Sequence, residues 1–351
     1  MERSMTGWQG GSRRWRAWLV AFMVAAGAFP SAGCRPGAAP EGAAPIVDPP
    51  TKPGAPAILI AMPNSPNFLE VRKSLVSEIR AAFSVVTFVV TPDTTAADLG
   101  AAIRRTNPAC MVLMNNATIT LVRDYERAHP AQTFPPTVLL MASLIEEVQA
   151  TLKNATGIAY EVPGVTSFMN LRAVIKTPIN RVGVLYRPGL RKFVERQMGP
   201  AAREHIEIVP VSVPSDVTSE ELREALENLV RNRHVDALWM LNDNALVRDE
   251  QFRDGAWRAV LNESRLPVVV GAANLVNPGS PLGTLAAVPD HEALGLQAAN
   301  LIFELADDHW RIGRHRTELP LSVKTVVDIR RVRDVFGLRL EAVKHIDRAL
   351  E

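Results

Sequence analysis

Cysteine and net charge are both scarce in this 351-residue sequence, and each shortage removes a class of function. Two cysteines, Cys34 and Cys110, cannot build a disulfide framework or a zinc site of the paired-cysteine kind. The formal net charge is +2, but residues 1–33 carry Arg3, Arg13, Arg14 and Arg16 against Glu2 alone; without those four positive charges and one negative, the remainder stands at −1. A body so close to neutral offers no basic face for nucleic-acid phosphates. Catalytic signatures are missing too. There is no Gly-x-Ser-x-Gly elbow, no glycine-rich phosphate loop and no His-Glu-x-x-His. The seven histidines are scattered, and His309 and His315 lie in an arginine-rich stretch that reads as a solvated face. Acidic pairs such as Glu146-Glu147 are adjacent in sequence, so on a helix they diverge rather than converge. No metal site, cofactor or catalytic residue is therefore expected.

The N-terminus reads as an address. A basic stretch, Arg13-Arg14-Trp15-Arg16, precedes an apolar run from Ala17 to Phe29, and its 13 residues fall short of the roughly 20 that span a bilayer. Small residues then lead into a cysteine, Ser31-Ala32-Gly33-Cys34, in an arrangement that resembles a bacterial lipobox. Residues 1–34 are expected to be a lipoprotein signal with Cys34 the lipidated residue, plain secretion being the alternative. Residues 35–56, rich in Pro, Gly and Ala, are expected to form a tether that holds the folded body near a membrane without inserting it. Cys110 lies in an apolar, strand-like run and reads as a small buried hydrophobe.

From residue 57 the pattern alternates between continuous apolar runs and helical periodicity. Ala57–Met62, Val85–Val90, Cys110–Met114 and Thr137–Met141 are predicted strands. Between them, Phe68, Val71, Leu75, Ile79 and Phe83 recur at helical spacing, and 96–105 and 119–129 are predicted helices. The plan repeats from Arg181–Tyr186, through a helix at 191–204, a strand at 206–211, and strands at 237–241 and 268–271. Thr218 and Glu221 make a capping box, with Val217 and Leu222 placed to staple it. Alternation of this kind implies right-handed βαβ units, and its repetition implies an α/β protein of two doubly wound parallel-sheet lobes.

Ligands of open α/β sheets bind outside the carboxyl ends of the strands. Those ends supply the candidate site: Asn64, Ser65, Asn115, Asn116 and Ser143 in the first half, and Asn242, Asp243, Asn244, Ala272 and Asn274 in the second. Tyr186-Arg187-Pro188 is a further tip. Tyr160, Tyr186 and Phe68 offer flat apolar walls, and Asp243 and Glu161 are the acids best placed to meet a ligand ammonium. Amides and hydroxyls dominate, which suits reversible recognition of a small polar solute. Each of these side chains has a plainer use as well, as a helix cap, a turn brace or a packing residue.

Several stretches together resemble the bacterial ABC-transporter substrate-binding family that includes tryptophan- and tyrosine-type binding lipoproteins. They are Asn154-Ala-Thr-Gly-Ile-Ala, Arg181-Val-Gly-Val-Leu-Tyr-Arg-Pro, Asp236-Ala-Leu-Trp-Met-Leu-Asn-Asp, Leu266-Pro-Val-Val-Val-Gly, and 319–329 leading to Phe336-Gly-Leu. The resemblance implies a type I periplasmic-binding-protein fold, a Venus flytrap whose lobes are 57–165 plus 286–318 and 166–285 plus 319–335. Residues 283–308 would then return to the first lobe as its last helix, 319–329 would cross back, and 336–351 would be a tail. It also implies a small-molecule ligand, with amino acids as one class, and an ABC permease as partner. A ligand-sensing module for a receptor kinase is the alternative, and an exported enzyme a third reading.

Overall fold

The computed structural model describes residues 46–48, 54–247, 250–278, 280 and 282–351. Cys34, the segments before it and most of the expected tether lie outside the described residues. Two sheets organise the rest. The first has the order β1-β3-β2-β4-β5-β6, from β1 (Ile46–Asp48), β2 (Ala57–Pro63), β3 (Ser84–Val90), β4 (Cys110–Met114), β5 (Thr137–Leu140) and β6 (Ala155–Gly157). Its pairs are parallel except β1 with β3. Helices α1 (Pro66–Ile79), α2 (Ala96–Thr106), α3 (Asn116–Ala128) and α4 (Ile145–Gln149) connect its strands.

The second sheet has the order β13-β12-β11-β10-β9-β7-β8. Its strands are β7 (Arg181–Tyr186), β8 (Glu207–Ser212), β9 (Ala237–Met240), β10 (Val268–Val270), β11 (Leu285–Pro289), β12 (Val323–Asp328) and β13 (Arg348–Leu350). Only β11 with β12 is antiparallel. Helices α5 (Gly164–Val174), α6 (Arg191–Arg203), α7 (Ser219–Glu227), α8 (Asn244–Val247), α9 (Glu250–Phe252) and α10 (Ala259–Ser264) precede the long α11 (His291–Asp307), and α12 (Ile329–Arg331) follows β12.

Strand parity builds the cores. In β2, Ile58, Ile60 and Met62 face Leu75 and Ile79 of α1 and Ala298 and Ile302 of α11, whereas Leu59 and Ala61 face Leu99 and Ile103 of α2 and Ile119 and Val122 of α3. A strand buried on both faces has no polar side, which is why it reads as a continuous apolar run. The second sheet repeats this, with Val182 and Val184 against Phe168 and Leu171 on one face and Leu185 against Leu222 and Leu226 on the other. Helix entry is fixed locally. Thr95 with Asp98, and Thr218 with Glu221, form complete capping boxes, and Val217 and Leu222 share one buried cluster. Cys110 is fully buried, and burial pushes its thiol up to about 12, so it is inert at neutral pH.

Three expectations change. Residues 46–48 of the tether pair with the edge strand β3, register Ile46 to Thr87, because that edge otherwise leaves backbone groups unpaired. The span 283–308 begins as β11 of the second sheet and turns toward α1 only at Asp290, whose carboxylate caps Glu292. The expected C-terminal tail ends in β13, which covers the edge of β12.

Three crossing segments join the halves and are hydrogen-bonded in a row. Glu318 N donates to Gly157 O at 2.9 Å and Ala159 N donates to Glu318 O at 2.8 Å. Asp290 N donates to Ser322 O at 3.0 Å. Helix α11, which follows the crossing at Asp290, packs closely on α1; a Cβ on Gly295 would stand 2.6 Å from Val71 O.

Candidate functional site

Between the lobes, at the carboxyl ends of β5, β7, β9 and β10, lies a cavity of about 180 Å³. The first half contributes Ser143 and Leu144 from the loop after β5, and the first crossing contributes Tyr160, Glu161 and Val162. From the second half come Ser167 of α5, Arg187 and Leu190 after β7, Phe193 of α6, and Trp239 through Asp243 at the end of β9, without Met240. Val270, Gly271 and Ala287 complete it. Phe193 and Trp239 sit with ring centroids 5.8 Å apart, so one wall is aromatic. A second, wider space of about 670 Å³ shares Tyr160, Asn242 and Gly271 with the first and continues past Ala272, Asn274 and His291 to Arg348.

The lining loop after β5 is strained and braced. Met141 and Leu144 both adopt positive φ, 51° and 54°, a region that costs a residue with a side chain. Asn116 holds the turn by accepting from Ser143 N and donating to Ser143 O, both at 2.8 Å, and Glu161 Oε1 accepts from Leu144 N at 2.8 Å. Strain sustained at a cavity wall fixes where Ser143 and Leu144 present themselves.

The charges are arranged as a donor fork. Arg187 Nε and Nη2 each donate to Asp243 at 2.7 Å, a bidentate pair, and Asp243 also accepts from Ala245 N at 3.0 Å. Asp243 is 5% exposed, so its carboxylate is spent on orienting Arg187, which faces the cavity. The bond to Asp243 also raises the guanidinium above its ordinary value, keeping it charged. Burial raises the Glu161 carboxyl, against the opposing effect of the Leu144 amide. Burial, and then the charges of Glu161 and Glu70, raise the Tyr160 phenol, so it remains a neutral hydroxyl. That hydroxyl lies 3.0 Å from His291 Nε2, and His291 Nδ1 lies 3.0 Å from Glu70, linking the first crossing, α11 and α1.

Of the residues singled out in the sequence, Ser143, Tyr160, Glu161, Asn242 and Asp243 come together at the cavity, and Ala272 and Asn274 line the adjoining space. The rest serve elsewhere. Asn115 caps α3, its Oδ1 accepting from Thr118 N at 2.9 Å, and Asn116 is the loop brace just described. Asn64 and Ser65 stand at the entry to α1 and Phe68 packs on the first core, while Tyr186 is buried in the core of the second sheet. The side chain of Asn244 lies outside the described residues. Asp243 meets a guanidinium of the chain itself, which replaces the expected role of ammonium acceptor. Arg187, Leu144, Val162, Phe193 and Trp239 are cavity residues that the strand-end reading did not select. Arg187 stood at a tip already identified, but nothing in the pattern marks a buried residue such as Trp239 as facing a cleft.

No protein-family model and no curated protein matches the sequence. Solved structures do match. The ligand-free, open structure of a substrate-binding protein with adhesive properties from Clostridium difficile aligns with TM-score 0.62 at 12% identity, covering 85% of this chain and 99% of the other. The ABC domain in complex with L-Trp from Streptococcus pneumonia aligns with TM-score 0.53 at 14% identity, over 84% and 100%. A conserved domain protein from Vibrio cholerae aligns with TM-score 0.55 at 15% identity, over 84% and 100%. The chain has the type I periplasmic-binding-protein fold. At these identities the likeness is one of fold, and the strand order and crossings above are its content in this chain.

Proposed function

We propose that this protein is an exported, lipid-anchored solute-binding protein that captures a small molecule between its lobes and presents it to an ABC importer in the membrane. The carrying observation is the cavity at the strand ends, apolar and aromatic over most of its wall, with a few placed polar groups around Arg187 and Ser143. That composition suits a small solute held reversibly. Two proteins of the same fold are a substrate-binding protein and an ABC domain in complex with L-Trp, which makes amino acids the first class of ligand to test. The signal-like segment ending at Cys34 supports export and anchoring, because a lipidated cysteine ahead of a Pro/Gly/Ala-rich stretch keeps the body beside the membrane.

On this reading the ligand supplies the free-energy difference between open and closed lobes, and the closed form is what the permease recognises. The test is a thermal-shift screen of the purified full chain against amino acids, organic acids, nucleosides and sugars. A ligand at about 100 times its Kd adds roughly 2.7 kcal/mol to stability, which moves Tm by several degrees. A hit recovered chemically unchanged supports capture. A hit consumed during incubation, or silence across the library, overturns it. Anchoring is tested separately by mass spectrometry of the membrane fraction, where acylation at Cys34 is expected and its loss in Cys34→Ala should release the protein.

A further inference from the structure

The cavity is asymmetric in charge, and that asymmetry bears on what can be bound. Arg187 and two acids, Glu161 and Asp243, are its charged lining residues. Arg187 uses Nε and Nη2 on Asp243, and its Nη1 has no hydrogen-bond partner among the described residues. Both acids are already engaged. Asp243 is buried, takes two bonds from Arg187 and a third from Ala245 N. Glu161 accepts from Leu144 N to hold the strained loop, and its burial works against the charged form. Around these groups the wall is apolar, with Leu144, Val162, Phe193 and Trp239.

Resting on the receptor reading above, we infer that the cleft selects an apolar solute headed by a single carboxylate, which Arg187 takes through its free Nη1, and that no group is built to receive an ammonium. The physical ground is that a guanidinium pre-oriented by a buried carboxylate loses little freedom when it binds a second one. A ligand ammonium meets the opposite situation, since it must draw Glu161 from the Leu144 amide or compete with Arg187 for Asp243. An amino acid then binds through its carboxylate and side chain, and its amine adds nothing.

Matched probes test this on the purified full chain by isothermal titration. L-phenylalanine, 3-phenylpropanoate and 2-phenylethylamine share one body and differ in the head, and the indole and isobutyl series extend the comparison. In at least one series the acid is expected to bind within about threefold of the amino acid, with the amine giving no heat. A charge-assisted bond of this kind is worth about 10- to 100-fold in affinity, and Arg187→Gln should lose that much for the acid. Because Arg187→Gln leaves Asp243 buried without its partner, Arg187→Lys is measured beside it, with a ligand-free melt to confirm folding. Lysine keeps the charge but not the fork, and at least a tenfold loss is expected. An amino acid more than tenfold tighter than its acid, binding of the amine, or unchanged acid binding in folded Arg187→Lys overturns the inference while leaving the receptor reading intact. No binding in any series also overturns it; a sugar or nucleoside hit then preserves capture as the function, and silence there removes both.

Discussion

Replacing Gly295 by alanine sets two effects of opposite sign against each other, and the structure decides which wins. Gly295 lies inside α11, where a bare helix gains roughly 1 kcal/mol from glycine to alanine. The added Cβ, however, would stand 2.6 Å from Val71 O, 2.7 Å from Ser74 Cβ and 2.9 Å from Leu75 N, whereas ordinary contact begins at 3.4 Å. Two of those three atoms are backbone of α1, so no rotamer change relieves the overlap. The helices must separate by the better part of an ångström, across the cluster in which Leu75, Ala298 and Ile302 are buried. Overpacking a close-packed core costs about 1–3 kcal/mol. After the propensity gain, a net loss of about 0–2 kcal/mol is left, with Tm lowered by roughly 2–4 °C per kcal/mol for a body of this size. Urea denaturation followed by far-ultraviolet circular dichroism reads it directly. A Gly295→Ala protein more stable than the parent would refute the reasoning, since it would mean that the helix-to-helix approach imposes no constraint.

Three further outcomes follow from the same geometry. Gly157→Ala places a Cβ 2.4 Å from Leu139 O, between β5 and β6, and should lower stability by about 1–3 kcal/mol in the same denaturation assay; an unchanged midpoint would contradict it. Asp243→Asn keeps an acceptor for Ala245 N but breaks the ionic pair, and a loss of about 1–2 kcal/mol is expected, moderated because the Arg187 side chain is 33% exposed. Calorimetric melting with no change in Tm would argue against the pair. Burial raises the Glu161 carboxyl in the folded protein, so its contribution is full below the ordinary carboxyl value and is lost as pH rises through the raised one. Glu161→Gln retains an acceptor for Leu144 N without the charge. Its Tm advantage over the parent should therefore widen from acidic to neutral pH, and an advantage that shrinks along that path would reverse the assignment.

The reach of the sequence can be followed residue by residue. Continuous apolar runs marked β2, β4 and β7 because a parallel strand covered on both faces carries no polar side. The capping boxes at Thr95 and Thr218 are local chemistry, complete within four residues, although only the second was singled out. Helix α5 is hard to see in the sequence for a physical reason. It starts after Pro163 with no side-chain cap, and its buried stripe of Ser167, Phe168, Leu171 and Val174 is masked in the sequence by Val165, Met169 and Ala173, which are apolar but lie off that stripe. Tyr186 held a usable clue, since it shares parity with Val182 and Val184 and so must face the same core. β1 and β13 are short edge pieces whose only reason to be strands is the neighbouring edge.

What the sequence determined by itself was eight of the strands, β2 to β5 and β7 to β10, their order along the chain, and the positions where strand ends could meet a ligand. Period and capping are properties of neighbouring residues, and these the chain carries in plain form. What only the tertiary structure decided was which of those ends converge and what each side chain is spent on. Arg187 and Asp243 are 56 residues apart, and they pair because β7 and β9 lie side by side. Asn115 and Asn116 are adjacent and equally polar, yet one caps a helix and the other braces a loop 27 residues away. Their uses depend on which backbone amide comes within 3 Å, and distance in space is not written in distance along the chain.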